Sequence, residues 1–226
     1  MRLCPPLSLK GMIMIIAIDG PSSSGKGTIS RLLGQKLGFS VLDTGLLYRL
    51  FAYRTLEQKI DPNNEPDVSS FLNDFQLNLS DLTIPALKEN TIAQAASIVS
   101  QYPDVREKFL EFQRNFAKNP SFPHKGTILD GRDIGTVIVP TADLKIFITA
   151  DVTVRAQRRW KELQERGIMC MFDDILSDLK ARDERDMQRS QAPLKAAPDA
   201  HIIDTSTLSP QDVVDKVMSF VKKIHP

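Results

Sequence analysis

Apolar positions along this chain alternate between two patterns. From Ile13 the run is continuously apolar until a closing carboxylate at Asp19, and it stops at Gly20, the look of a parallel strand buried on both faces. Behind that turn Ile29, Leu32, Leu33 and Leu37 recur at helical spacing, and Gly38 stands where a helix C-cap belongs. Phe39 to Asp43 reads as a second short strand, and a helix is predicted from about Leu46 to Gln58. Helical spacing resumes at Ile92, breaks at Pro103, and restarts behind Asp104 with Val105, Phe109, Phe112 and Phe116 on one stripe. Gly126–Gly131 and Leu144–Ala150 are two further buried strands. Helices at about Val152–Arg166 and Asp173–Arg189 follow, separated by GIMCMF, and His201–Asp204 is the last strand. Ser209 and Pro210 open a closing helix with Val213, Val217, Phe220 and Ile224 predicted inward. Strand and helix alternate throughout, which predicts an α/β fold: a five-stranded parallel sheet with helices on both faces.

One stretch departs from this rhythm. Between Lys59 and Thr91 the chain is interrupted by Pro62, Asn63, Asn64 and Pro66, and Phe75–Leu79 alternates as a short strand does. The segment reads as an insertion outside the main sheet. At 226 residues, 42% hydrophobic and 25% charged, the chain suits one globular domain. A formal net charge of +1 supplies no overall field for nucleic acid or a membrane, so any anion site must be local. Cys4 and Cys170, with His124, His201 and His225, give neither a disulfide framework nor a zinc ligand set. Reducing cytoplasm is the simplest compartment. Residues 1–12 carry two prolines and no long apolar stretch before a small-residue cleavage site, so they read as a loose extension, upstream of the true start, ahead of a domain over 13–226. The apolar run Ile13–Ile18 is far too short to cross a bilayer.

The strongest chemical signal is GPSSSGKGT: Gly20, Pro21, Ser22, Ser23, Ser24, Gly25, Lys26, Gly27 and Thr28. It fits the phosphate-cradling pattern G-x-x-x-x-G-K, and it sits between a strand and a helix as that mechanism requires. Backbone N–H groups and the helix N-terminus attract a polyphosphate, and Lys26 brings a mobile charge to its end. The residue after the lysine is Gly27 rather than a hydroxyl, so Mg²⁺ is held either by Thr28 or largely through water. A ligand-free Gly/Ser turn is the plain alternative, and the register of strand, turn, lysine and helix argues against it.

Asp130 ends an apolar strand and is followed by Gly131, Arg132 and Asp133. Its carboxylate should emerge at the carboxyl edge of the sheet, where such folds bind ligands, and Mg²⁺ or its waters suit it. Arg132 can fork onto phosphate; a brace across the turn is the competing role. Thr44 and Arg49 lie at the same edge after the second strand. Arg182, Asp186 and Arg189 share one helical face, and Arg155, Arg158 and Arg159 lie on the preceding helix. Together these read either as a cationic lid or as solvated ion-paired faces, and the phosphate loop favours the lid. No nucleophile with a general base stands out, which fits transfer to an acceptor whose phosphate oxygen is already anionic.

Taken together, IDGPSSSGKGT, LDTGLLYR, AASIVSQYPDVR, LDGRDIGTVIVP, LKIFITA, RDERDMQR and the following APL resemble the bacterial cytidylate kinase family, from about Ile13 to Ile224. The resemblance implies a P-loop kinase core, a monophosphate-binding insertion at about 59–103 and a short lid at about 152–190. It implies ATP as phosphate donor at Gly20–Thr28 and CMP or dCMP as acceptor, beside the Mg²⁺ that the residues themselves suggest at Thr28 and Asp130. Lys26, Asp130, Arg132, Arg159 and Arg189 would carry the catalytic charge. CMP phosphate would fall to Arg49, Arg132 and Arg189, ribose to Arg182 and Asp186, and cytosine to Ser97, Arg106 and Asp133. Thr44 stands among the substrate contacts where the family often has serine. Leu72–Thr91 is shorter than the family's small antiparallel sheet, and LSDLTIPALKEN cannot supply its hairpins. The expected partners are small nucleotides, with no nucleic acid, no membrane and a monomer as the simplest assembly. A UMP kinase is the nearest rival. A GTPase-type switch lacks its N-K-x-D motif here, and a nucleic-acid-dependent NTPase fits poorly with near-zero net charge and 7% aromatics.

Overall fold

The computed structural model describes residues 13–121 and 123–224. The predicted loose extension, with Cys4, and His225 lie outside them. Five parallel strands form one sheet: β1 (Met14–Asp19), β2 (Ser40–Asp43), β3 (Gly126–Gly131), β4 (Leu144–Thr149) and β5 (His201–Asp204), in the order β2-β3-β1-β4-β5. The register pairs Asp19 with Gly131 and Ile18 with Asp130, so the ends of β1 and β3 finish side by side. The chain lays β2 and β3 on one side of β1 and then crosses to β4 and β5 on the other, and this reversal places a crevice at the carboxyl edge of β1 and β3.

Eight α-helices are described: α1 (Lys26–Leu37), α2 (Gly45–Glu57), α3 (Glu65–Asp74), α4 (Asn90–Val99), α5 (Pro103–Lys118), α6 (Val152–Glu165), α7 (Phe172–Gln188) and α8 (Pro210–Ile224). One face of the sheet is covered by α1 and α8 over a core of Ile16, Ile18, Leu33, Ile128, Ile146 and Val217. On the other, Ala17 and Leu129 meet Ala117 of α5 and a π-helical turn at Ile134–Ile138. In α8 the buried stripe runs through Val213, Val214, Val217 and Val221, with Phe220 half-buried against His201. Ile224 was expected inward; at the helix end it is instead 40% exposed.

The segment expected to be irregular contains a helix. Asn64 accepts the Asp67 N–H as the cap of α3, and Pro66 sits in the first turn, where its missing donor costs nothing. The apparent breakers are therefore helix-start signals. The strand predicted at Phe75–Leu79 is absent. Phe75 is extended, but its ring is buried against Phe51, Phe71 and Phe109, no strand lies alongside to pair with it, and Leu79 opens a short 3₁₀ turn, Leu79–Thr83. An alternating pattern sets a local extension, but a strand also needs a partner for its backbone. This aromatic cluster gives α2, α3, α4 and α5 a core separate from those on the sheet. Among the described residues no helix is long and apolar enough to cross a membrane.

Candidate active site

The loop between β1 and α1 is fixed by its glycines and by donors from outside it. Gly20 has φ +149, and a Cβ there would lie 1.9 Å from the Ile148 carbonyl oxygen; Gly25 has φ +95 as it opens α1. Both conformations are open to glycine and strained for other residues. Thr205 Oγ1 donates to the Ser24 carbonyl (3.0 Å) and Arg155 Nη1 to that of Ser22 (3.2 Å). Lys26 Nζ donates to Pro21 O at 2.8 Å.

This loop forms one wall of a cleft of about 840 Å³ lined by Ser22–Thr28, Asp43, Arg49, Asp130, Arg132, Arg158, Arg159 and Arg182, among others. Five basic groups expected at the site, Lys26, Arg49, Arg132, Arg159 and Arg182, thus reach one cavity. Burial pushes the Lys26 ammonium down to about 8, and Arg132 adds repulsion. Burial pushes Asp130 up to about 7, with Lys26 pulling the other way and Asp43 reinforcing the rise. Burial, with repulsion from Arg132, also lowers Arg182 to about 9, and burial lowers Arg49. Cations crowded in a low dielectric carry an electrostatic cost that a bound polyanion removes. Among the described residues, the buried Nε atoms of Arg182 and Arg189 and the Ser24 hydroxyl have no hydrogen-bond partner, an arrangement that favours an acceptor-rich ligand.

The remaining expected groups lie behind the cleft wall. Asp186, 1% exposed, accepts from Arg132 Nε at 3.0 Å and pairs with Arg189. Burial alone would raise the Asp186 carboxyl, but Arg132, Arg189 and Arg182 outweigh it and hold it low. Arg106 and Asp133 form a buried ion pair; burial raises the Asp133 carboxyl against the pull of Arg106. Ser97, also buried, accepts from Arg185 Nε at 3.4 Å, and Arg189 donates to Ser100 Oγ at 2.9 Å. Asp133 therefore faces Arg106 rather than bracing Arg132. Thr44 spends its hydroxyl on the Asp130 carbonyl at 2.8 Å, and Gly20 and Pro21 support the loop without lining the cleft.

A family model described as cytidylate kinase matches residues 16–223. The chain belongs to the cytidylate kinase family. The cytidylate kinase of Paramagnetospirillum magneticum is 47% identical over 197 residues, covering 87% of this chain and 92% of that protein. That of Nitrobacter winogradskyi is 46% identical over 212 residues, covering 94% and 97% respectively. A solved structure of an uncharacterized Eubacterium ventriosum protein shares the fold at 13% identity, with a TM-score of 0.52 over 92% of this chain and 98% of that one. The chain is thus a nucleotide kinase with the P-loop kinase fold.

In this cytidylate kinase family member one structural role is absent from the sequence expectations, that of Asp19, and one expectation needs correcting, that for Arg155. Asp19 accepts from the N–H groups of Ile134 and Gly135, both at 2.8 Å, so it clamps the segment that follows Asp133. Burial pushes its carboxyl up to about 6 against those two bonds. An ionisable group ending an apolar strand, the signal that singled out Asp130, would have found it. Arg155 pairs with Asp183 and bonds Ser22 and Ala150, and it stays out of the expected lid. For the metal, no cluster of three or more His, Cys, Asp or Glu side chains is found among the described residues. Asp130 and the exposed Thr28 do line the cleft beside the phosphate loop, a sparse oxygen set that suits Mg²⁺ bound mainly through phosphate and water.

Proposed function

We propose that this chain transfers the terminal phosphate of ATP to CMP and dCMP in the cytoplasm, as a monomer, over a domain spanning 13–226. The reading places acceptor binding in the insertion at about 59–103 and the lid at about 152–190. One observation carries it: Lys26, Asp130 and five guanidiniums, those of Arg49, Arg132, Arg158, Arg159 and Arg182, converge on a single cleft. Such a field is needed where two phosphorylated substrates must meet and is superfluous for a neutral acceptor.

In this reading Gly20–Thr28 cradle the ATP phosphates, and Lys26 leaves the Pro21 carbonyl for the terminal phosphate. Arg49, Arg132 and Arg189 hold the CMP phosphate, and Arg159 closes over the transferred group. An acceptor phosphate oxygen bonds to the γ-phosphorus as the bond to the β–γ bridging oxygen breaks, and ADP departs with that electron pair. The acceptor oxygen is already anionic, so no residue needs to remove a proton. Thr28 and Asp130 would hold Mg²⁺, which supplies further neutralisation of charge on the phosphate oxygens. Arg182 and Asp186 take the ribose, with Thr44 fixing the strand end beneath.

Base choice falls to Ser97, Arg106 and Asp133. Cytosine offers an amino donor where uracil offers a carbonyl, so the Asp133 carboxylate favours one and repels the other, while Arg106 donates to O2 or N3. Asp133→Asn should narrow the CMP-to-UMP ratio of kcat/KM by about tenfold or more, since a discriminating contact is worth roughly 1–3 kcal/mol. Steady-state kinetics with both substrates decides. An unchanged ratio in the variant would remove Asp133 from base recognition.

A further inference from the structure

Arg155 shares its helix with Arg158 and Arg159, yet it has a different fate. It is 5% exposed and does not line the cleft. Its Nε donates to Ala150 O at 3.0 Å, its Nη1 to Ser22 O at 3.2 Å, and its Nη2 pairs with Asp183 at 2.6 Å. Each arm of the guanidinium is thus committed to protein. Asp183, 7% exposed, belongs to α7. Its chain neighbour Arg182 lines the cleft, and Asp186, one turn further on, accepts from Arg132.

We propose that Arg155 is a positioning residue that, through Asp183, couples the phosphate loop to the helix carrying the acceptor-binding groups. A rigid path leads from the Ser22 peptide to Arg155, across α6 to Asp183, along α7 to Asp186, and on to Arg132. The Ser22 carbonyl is held by a guanidinium that is itself held by α7. The loop therefore cannot adjust to a polyphosphate without passing the change to Arg182 and Asp186. Linkage makes the effect reciprocal: an acceptor that orders α7 must tighten the loop on its nucleotide. Burial makes the strut stiff, because a shift that parts Arg155 from Asp183 leaves a charge unpaired in a low dielectric.

The inference rests on the proposed transfer from ATP to CMP, so its test reports on both. The full chain is titrated calorimetrically with a non-hydrolysable ATP analogue, with and without saturating CMP, and kcat is measured in parallel. In the wild type, CMP should tighten analogue binding by about fivefold or more, the lower end of typical couplings. Asp183→Asn should bring that factor within about twofold of unity and lower kcat roughly tenfold. The double variant Arg155→Met/Asp183→Leu removes both charges and leaves only the Ala150 and Ser22 carbonyls without their donor, so it should melt above Asp183→Asn while the coupling and kcat stay low. Full recovery of coupling and kcat in the double variant would mean that the pair only holds the fold, and the proposal would be lost. A folded Asp183→Asn with wild-type coupling sinks it equally. A wild type that phosphorylates CMP without any coupling overturns this inference alone; one that phosphorylates no CMP overturns the functional reading with it.

Discussion

Asp186 is the buried carboxylate that pairs with both Arg132 and Arg189, and its replacement by alanine has a calculable cost. The side chain is 1% exposed and pairs with Arg132 and Arg189, whose side chains are 18% and 5% exposed. Removing one partner of a buried pair costs about 3–5 kcal/mol, mostly the charge left behind. Here Arg132 retains some access to water, so the lower part of that range applies, about 3–4 kcal/mol. In a chain of this size each kcal/mol shifts the melting temperature by about 2–4 °C, so a fall of roughly 6–16 °C is expected. Calorimetry at pH 7.5 measures it. Because Arg132, Arg189 and Arg182 hold this carboxyl below its ordinary range despite burial, its stabilisation is present above the unfolded carboxylate pKa. It is lost as pH falls through the folded one, so the gap between wild type and variant should shrink below about pH 4. The variant's kcat/KM for CMP should fall by about a hundredfold, with the ATP affinity in the absence of CMP within roughly threefold of wild type. A melting shift under about 2 °C would show that the ion pairs carry little, and a loss confined to ATP would show that this face of α7 serves the other nucleotide.

Lys26→Met should cut kcat by about a thousandfold, the scale of a lost transition-state charge, with the melting temperature maintained because a buried cation is replaced by an apolar chain. Near-normal turnover would remove the lysine from phosphate handling. The free enzyme should show a bell-shaped kcat/KM for ATP. Its acid limb lies near 7, where burial has pushed Asp130, and its alkaline limb near 8, where burial and Arg132 have pushed Lys26. Activity rises as Asp130 loses its proton and falls as Lys26 loses its own; a flat profile between pH 6 and 9 would contradict these roles.

Much of the fold was legible because its signals are local. The runs ending in Asp19 and Asp130 mark strands buried on both faces, and the register then sets their ends side by side. Gly20, Gly25 and Lys26 declare their chemistry by spacing alone. What could not be read depends on contacts between distant segments. Asn64 and Pro66 look like breakers until α3 is seen to start on them, and Phe75 alternates without a neighbour to make it a strand. Arg155 has the same helical spacing as Arg159, yet one is tied beneath the phosphate loop and the other reaches the cleft. Only the position of Ser22 and Asp183 decides between them. Asp133 likewise stands next to Arg132 in the chain, yet it pairs with Arg106, 27 residues away.

Turnover of the wild-type chain with ATP and each of CMP, dCMP, UMP and AMP, followed by coupled ADP release, tests the central claim most directly. CMP and dCMP should be phosphorylated with kcat/KM about tenfold or more above that for UMP, as one discriminating contact at the base requires, and AMP should be the poorest acceptor. Equal rates with CMP and UMP, or ADP release that ignores the monophosphate added, would contradict it.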